Sequence, residues 1–432
     1  MTPDFAESAD ISVGSAAVAP TQKTVLKAED LAFSPLDRTR LKLTQDEKIP
    51  KFGASDYSAE NVTKRLKWIE DKSGSVCPHI SGEPISFEAW KGNVENLIGT
   101  IQVPVAAIGP ILVEGQSAKG KFYVPFATTE GAITTVYHTG MRIVSESGGV
   151  QVASRDNGLH ITPAFKTKSI AESGRLKFWI ESNFFQIKGV AESTTTHGKL
   201  LEIEVTVAER MTLAKFLYST ADAQGMNMIN VATLAACEFI EAHTQVEFVE
   251  RSNYSAVKKI SAHIQSGSFG KSVFAEATIP SRQLSKLRVT SAEMATLWHQ
   301  GYLASMRAGM MGINCQVANG LAGIFLACGQ DMADLVSSHV ATSNCESLEN
   351  GDLYISLHMP SVMVGTVGGG TGVGTQRECL EIMGCYGSGK VLKFLEIIAA
   401  TALAGELVTG AALVTRKFVQ GHALLGRNKP VF

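Results

Sequence analysis

The sequence contains no window of about 18 apolar residues free of charge, no Cys-x-x-Cys pair, and no surplus of either sign of charge. The first absence predicts a chain without a membrane span. The nearest approach, residues 394–414, contains Glu396 and Glu406 and reads as a buried helix of a soluble protein. Seven cysteines, Cys77, Cys237, Cys315, Cys328, Cys345, Cys379 and Cys385, are odd in number and scattered. That pattern speaks against a disulfide framework and a structural zinc site, so no metal and a reducing, cytoplasmic setting are expected. With 39 Lys+Arg against 41 Asp+Glu the formal charge is −2, which excludes nucleic-acid binding by bulk charge. Asp4, Glu7 and Asp10 stand where a signal peptide would carry basic residues. What is present is a chain of 432 residues, 45% hydrophobic and 19% charged, enough for two or three domains with a large core.

Residues 1–50 mix Ala, Ser, Pro, Thr and charge without periodicity and read as a flexible N-terminal arm. Val62, Leu66 and Ile69 recur at helical spacing, predicting a helix over 58–71 that stops at Ser73-Gly74. An extended run over 122–126 leads through Glu130-Gly131 into a helical segment ending at Gly148-Gly149. Strands are expected at 178–181, 200–207 and 245–250, with helical stretches at 169–181 and 225–243. These describe a small α+β unit at 163–249 set into a larger body at 51–162 and 250–407. The last third is rich in small residues that allow close helix packing. Helices are expected there at 292–311, 316–338, 375–384 and 391–419, and residues 408–432 read as a C-terminal helix or flap.

Several stretches invite a chemical reading. Gly384-Cys385-Tyr386-Gly387-Ser388-Gly389-Lys390 satisfies the phosphate-loop spacing, but Val391 stands where a magnesium-holding hydroxyl belongs, and a helix-connecting turn fits better. Gly365-Thr366-Val367-Gly368-Gly369-Gly370-Thr371 can let a backbone approach a ligand, or can simply turn. Asp222-Ala223-Gln224-Gly225-Met226-Asn227 precedes a helix, so it is either an anion-binding helix start or a plain cap. Glu130, Lys258, Asp331 and His422 lie in weakly charged surroundings. Each alone is more often a cap or a surface charge than a catalyst.

Taken together, five segments resemble 3-hydroxy-3-methylglutaryl-coenzyme A reductases: Glu95-Asn96-Leu97-Ile98-Gly99, Val124-Pro125-Phe126-Ala127-Thr128-Thr129-Glu130-Gly131, the Asp222 segment, Ala327-Cys328-Gly329-Gln330-Asp331 and the Gly365 segment. They fall in the family's order between about Tyr57 and Asn428, and resemble the soluble catalytic portion of the eukaryote-type class. The resemblance implies an α+β fold, a large mainly helical domain with an inserted ferredoxin-like dinucleotide-binding domain. It implies NADPH or NADH as cofactor, two per turnover, and a CoA-linked acyl thioester as substrate. It also implies a homodimer or dimer of dimers with the active site at its interface. By the same resemblance Lys258 stabilises the carbonyl oxygen, Glu130 donates a proton to it, Asp331 tunes both, and His422 on a C-terminal segment protonates the departing thiolate. The dinucleotide is assigned to Asp222, Ala223, Gln224, Gly225, Met226, Asn227, Gly368, Gly369, Gly370 and Thr371. The substrate is assigned to Arg142, Arg251, Asn253, Lys259 and Asn319.

The departures from the family concentrate where substrate is read. Arg251 replaces a serine, Val257 an aspartate, Ile161 an arginine and His299 a lysine, while Val136, His138 and Thr139 stand at positions that meet coenzyme A. Thr196 aligns with an arginine that serves the 2′-phosphate, with Lys199 nearby as a substitute. Reduction of 3-hydroxy-3-methylglutaryl-CoA to mevalonate is therefore the leading expectation. The same chemistry on another acyl thioester is the alternative, and a non-catalytic binding homologue is disfavoured by the retained proton-transfer set.

Overall fold

The computed structural model describes residues 43–53, 56–267 and 269–425, the last four by backbone alone. Most of the expected N-terminal arm and the segment around Arg427 lie outside the described residues. Among the described residues eleven strands run in chain order: β1 (Val105–Gly115), β2 (Lys119–Ala127), β3 (Val150–Asp156), β4 (Leu159–Ile161), β5 (Ala164–Lys166), β6 (Lys199–Ala208), β7 (Met211–Ser219), β8 (Phe248–Val249), β9 (Lys271–Ile279), β10 (Thr342–Ser347) and β11 (Leu353–Val362).

Six of them form one sheet in the order β10-β11-β9-β3-β1-β2. The β1/β3 pair is parallel and the other neighbours are antiparallel. The Val391–Val414 helix packs across this sheet. Its contact with the Ile133–Glu146 helix is close enough that a Cβ on Gly140 would lie 2.0 Å from the carbonyl oxygen of Ala404. The helix is long and apolar enough to cross a membrane, yet most of it is buried inside the fold. Its two acids explain that placement. Glu396 accepts the N–H groups of Ser117 and Ala118 and the hydroxyl of Ser154, and Glu406 accepts those of Cys315, Gln316 and Ser343. Buried carboxylates so satisfied tie the helix to the ends of the sheet and to the start of the Val317–Ala327 helix.

The second sheet is antiparallel. β4 and β5 both pair with one edge of β7, as two halves of a strand interrupted at Thr162-Pro163, while β6 takes the other edge and β8 flanks β5. The Ile170–Ser182 and Phe184–Ser193 helices connect β5 to β6, and the Met226–Thr244 helix connects β7 to β8. This is the β-α-β-β-α-β ferredoxin-like arrangement, with its own core around Phe165, Leu176, Phe216 and Ile229.

Local signals explain most boundaries. Ser58 caps the Ala59–Ser73 helix by accepting the Asn61 N–H, and left-handed Gly74 ends it. Two expectations are corrected. Residues 178–181, taken as a strand, complete the Ile170–Ser182 helix that Ser169 caps. The helix expected at 316–338 stops at Ala327 because Gly329 adopts φ +64°. The large body is also less purely helical than its composition suggests, since six strands run through it.

Candidate active site

Lys258 sits on the turn that follows β8 and the short helix Asn253–Ser255. Both Ala256 and Lys258 are left-handed, with φ of 57° and 58°, and buried Val257 anchors the loop between them. The turn aims the half-buried ammonium of Lys258 at Asp331, with which it forms an ion pair through Oδ2. The other oxygen of Asp331 accepts the Ala333 N–H at 2.9 Å. Asp331 is thereby fixed by its own backbone turn and free to orient the lysine.

Backbone contacts gather the glycine-rich segments around this pair. Buried Gln330 accepts the Gly365 N–H at 2.8 Å and donates to the carbonyls of Gly365 and Cys328 at 3.0 and 2.9 Å. The Thr366 N–H donates to the Asp222 carbonyl at 2.8 Å, and Ala223 bridges Val367. A Cβ on Gly329 would lie 2.4 Å from the Gly370 carbonyl oxygen, so those two loops approach as only glycines permit. The carboxylate of Asp222 accepts N–H groups from Gly389, Lys390 and Val391 at 2.8, 3.0 and 3.1 Å. The turn with phosphate-loop spacing therefore has its donors turned to an internal carboxylate, as a helix-connecting turn would.

The residues assigned to the dinucleotide divide into two groups. Asp222, Gln224 and Thr371 are engaged within the protein, Gln224 accepting the Met226 N–H at 3.0 Å and Thr371 donating to the Gly368 carbonyl at 2.6 Å. Gly368 and Gly369 have φ of 79° and 56° and open space where a Cβ would be. Gly225, at φ 86°, heads the Met226–Thr244 helix without a side-chain cap, and exposed Asn227 lies in its first turn. Glycine backbone with open space, and a helix start whose first N–H is met by Gln224 and whose next N–H groups have no side-chain cap, suit the phosphates and ring of a dinucleotide. Lys199 pairs with Glu192, and the Thr196 hydroxyl lies 2.8 Å from Nδ1 of His197.

Among the residues assigned to substrate, Arg251 donates to Oδ1 of Asn230 at 2.7 Å and lies against the Met226 sulfur, next to the same helix start. Asn253 and Lys259 flank the lysine turn, with the Lys259 ammonium 3.4 Å from the Val257 carbonyl. Asn319 is exposed on the Val317–Ala327 helix, and Arg142 is exposed on the Ile133–Glu146 helix. Burial, with the charges of Lys51 and Arg142, pushes the His138 imidazole down to about 4. Ile161 is buried in β4.

Glu130 is exposed beyond β2, its N–H donating to the Thr128 hydroxyl at 3.0 Å. Left-handed Ala132, at φ 72°, then starts the Ile133–Glu146 helix without a side-chain cap. Among the described residues Glu130 has no hydrogen bond or ion pair with Lys258 or Asp331. His422 lies on the Phe418–Leu425 helix, and its side chain is outside the described residues. Non-glycine residues with positive φ adjoin three of these segments: Ala132 beside Glu130, Ala221 beside Asp222, and Ala256 and Lys258 themselves. Such conformations cost about 1 kcal/mol or more each and persist where surrounding structure fixes them.

One group escaped the sequence reading. Asp334 is fully buried one turn after Asp331, and burial reinforced by the Asp331 charge pushes its carboxyl up to about 7. The available signal was the i, i+3 spacing of two acids beside an apolar run.

The hydroxymethylglutaryl-coenzyme A reductase family model matches residues 61–427. The chain is 42% identical over 373 residues to a 3-hydroxy-3-methylglutaryl-coenzyme A reductase of Methanocaldococcus jannaschii, covering 84% of this chain and 92% of that one. It is 36% identical over 404 residues to that of Haloferax volcanii, covering 92% and 99%. The fold is similar to the class II enzyme of Streptococcus pneumoniae solved with NADPH, with TM-score 0.66, 19% identity, and coverage of 84% and 100%. These sequence relatives are archaeal, and what they show is the family, not the eukaryote-type class within it.

Proposed function

The chain belongs to the hydroxymethylglutaryl-coenzyme A reductase family, and from that premise we propose that it reduces 3-hydroxy-3-methylglutaryl-CoA to mevalonate and free CoA. The single observation that carries the reading is the Lys258/Asp331 ion pair, bound through Gln330 to the glycine loop and through that loop to the Asp222 segment. It sets a fixed cation beside a backbone surface fit for a dinucleotide.

The nicotinamide cofactor, NADPH or NADH, supplies two hydrides per thioester when bound. Lys258 holds its ammonium where the carbonyl oxygen gains negative charge, a preorganised interaction that needs no rearrangement during reaction. Asp331 fixes the direction of that ammonium. Glu130 delivers the proton to the oxygen. When the thiohemiacetal collapses, its hydroxyl proton returns to Glu130, the C–S bond breaks and His422 protonates the departing CoA thiolate; reduction of the resulting aldehyde, with a proton from Glu130, yields the alcohol. Overall, two cofactors are oxidised and two protons taken up per thioester. Arg142, Arg251, Asn253, Lys259 and Asn319 contact the substrate.

Assembly through a second copy is part of the same proposal. Ile98 and Ile101 are almost wholly exposed in the Glu95 to Gly99 motif and just beyond it, an apolar surface suited to a homodimer or dimer of dimers with shared sites. A cytoplasmic location accords with the reduced cysteines. The domain limits assigned from the sequence, 163–249 for the small domain and 408–432 for the flap, belong to this proposal too.

Incubation with 3-hydroxy-3-methylglutaryl-CoA and NADPH, with NADH in parallel, tests the reading through identification of mevalonate. Cofactor binding without turnover of that substrate would overturn the acyl-group assignment. Ile161 favours the second reading, another acyl thioester, because an apolar residue buried in β4 replaces a substrate-binding arginine.

A further inference from the structure

We propose that Asp334 is a positioning residue of the reductase site, whose carboxyl works in its neutral form and whose ionisation weakens dinucleotide binding and turnover. The inference rests on the function proposed above and adds a regulating group to the same site.

The geometry places Asp334 between two parts of the machinery. It shares a turn with Asp331, whose carbonyl accepts the Asp334 N–H at 3.1 Å. Its Oδ2 accepts Nε2 of Gln224 at 2.7 Å, and the other end of the same amide accepts the Met226 N–H that opens the Met226–Thr244 helix. The amide is thus used at both ends, and what it can do for the helix start depends on the state of the carboxyl. Oδ1 of Asp334 is buried and has no hydrogen-bond partner among the described residues. A bare anionic oxygen there would be strongly disfavoured, whereas a protonated carboxyl leaves only a neutral hydroxyl unpaired.

The charges facing Asp334 are Asp331 on its own turn and Lys258 from the loop after β8. Gln224 is the neutral donor from the dinucleotide segment, and it shares a small cavity with buried Lys271 of β9. With Asp334 neutral, Lys258 and Asp331 form a balanced pair. Ionised Asp334 makes the trio net negative. That charge offsets the cation meant for the substrate oxygen and opposes dinucleotide phosphates nearby. Burial and the Asp331 carboxylate raise the carboxyl to about 7, so the change falls near neutrality.

The test compares the full-length protein with Asp334→Asn, which mimics the neutral carboxyl. In the wild type NADPH affinity and kcat/KM should fall about tenfold from about pH 6.5 to 8.5, and in the variant about twofold or less. Wild-type turnover with the same basic limb retained in the variant overturns the inference and leaves the function standing. No wild-type turnover overturns the function, and the inference is then judged without activity. Infrared spectra should show a protonated carboxyl that is lost above about pH 8 and absent in Asp334→Asn. Should that variant not fold, Gln224→Met removes a hydrogen bond that favours the anion, and the same band must titrate at higher pH. A band that does not move, or that shows no titration near neutrality, contradicts the assignment.

Discussion

Asp222 accepts the backbone N–H of Lys390 at 3.0 Å, tying the segment before the small-domain helix to the start of the core helix Val391–Val414. Two neighbouring N–H groups point to the same carboxylate. Its side chain therefore acts as a cap supplied from a distant part of the chain.

Replacing Asp222 with Ala should cost about 1–2 kcal/mol of stability and raise the KM for NADPH, because loss of the carboxylate bonds to 389–391 loosens the segment whose backbone carbonyl holds Thr366 of the glycine loop. Denaturant unfolding and cofactor kinetics check both effects. A change in KM with unaltered stability would place the carboxylate on the cofactor instead.

Lys258→Ala should leave the fold intact and lower kcat by about a hundredfold or more, the usual scale for removing a group that stabilises a developing oxyanion. Circular dichroism with single-turnover kinetics decides it. Wild-type hydride transfer in that variant would remove Lys258 from the mechanism.

Two glycines should respond differently. Gly329→Ala brings a Cβ to 2.4 Å from the Gly370 carbonyl oxygen and should lower stability by about 2–3 kcal/mol. Gly369→Ala meets open space, so it should cost only the roughly 1 kcal/mol of a left-handed alanine while weakening NADPH binding. Equal loss of stability in both would show that the second glycine serves folding, not ligand approach.

Asp334→Asn should stabilise the protein at pH 8 and leave it unchanged near pH 4. The folded state holds the Asp334 proton up to about 7, above the ordinary aspartate value of 3.8. Its contribution is full below the unfolded value and is lost as pH rises through the folded one. The variant escapes a loss of about 4 kcal/mol at pH 8. Urea unfolding at the two pH values checks the sign, and an equal effect at both would contradict the buried neutral carboxyl.

His422→Gln should slow reduction of the thioester more than reduction of the corresponding aldehyde, since only the first releases a thiolate. Parallel rate measurements on both substrates separate the steps. Equal slowing would reject the proton-donor role.

Much of this arrangement could be read from the chain because the signals were local. Ser58, Gly74 and the spacing of Val62, Leu66 and Ile69 define one helix within two residues. The strand expected at 200–207 lies within β6, and Gly329 and Gly370 belong to two of the motifs that carried the resemblance, although their meeting is seen only in the structure. The large sheet was less visible because its strands come from distant parts of the chain, β1, β2 and β3 within 105–156 and β9, β10 and β11 within 271–362, although β9 and β11 alternate buried and more exposed positions. The capping role of Asp222 and the burial of Asp334 depend on partners far away in sequence, Lys390 and Gln224. No local pattern carries them.

The most direct test of the central claim is the stoichiometry of NADPH oxidised to CoA released, measured with 3-hydroxy-3-methylglutaryl-CoA. The site described here predicts two NADPH per CoA with mevalonate as product. One NADPH per CoA with free aldehyde accumulating, or no CoA released at all, would contradict it.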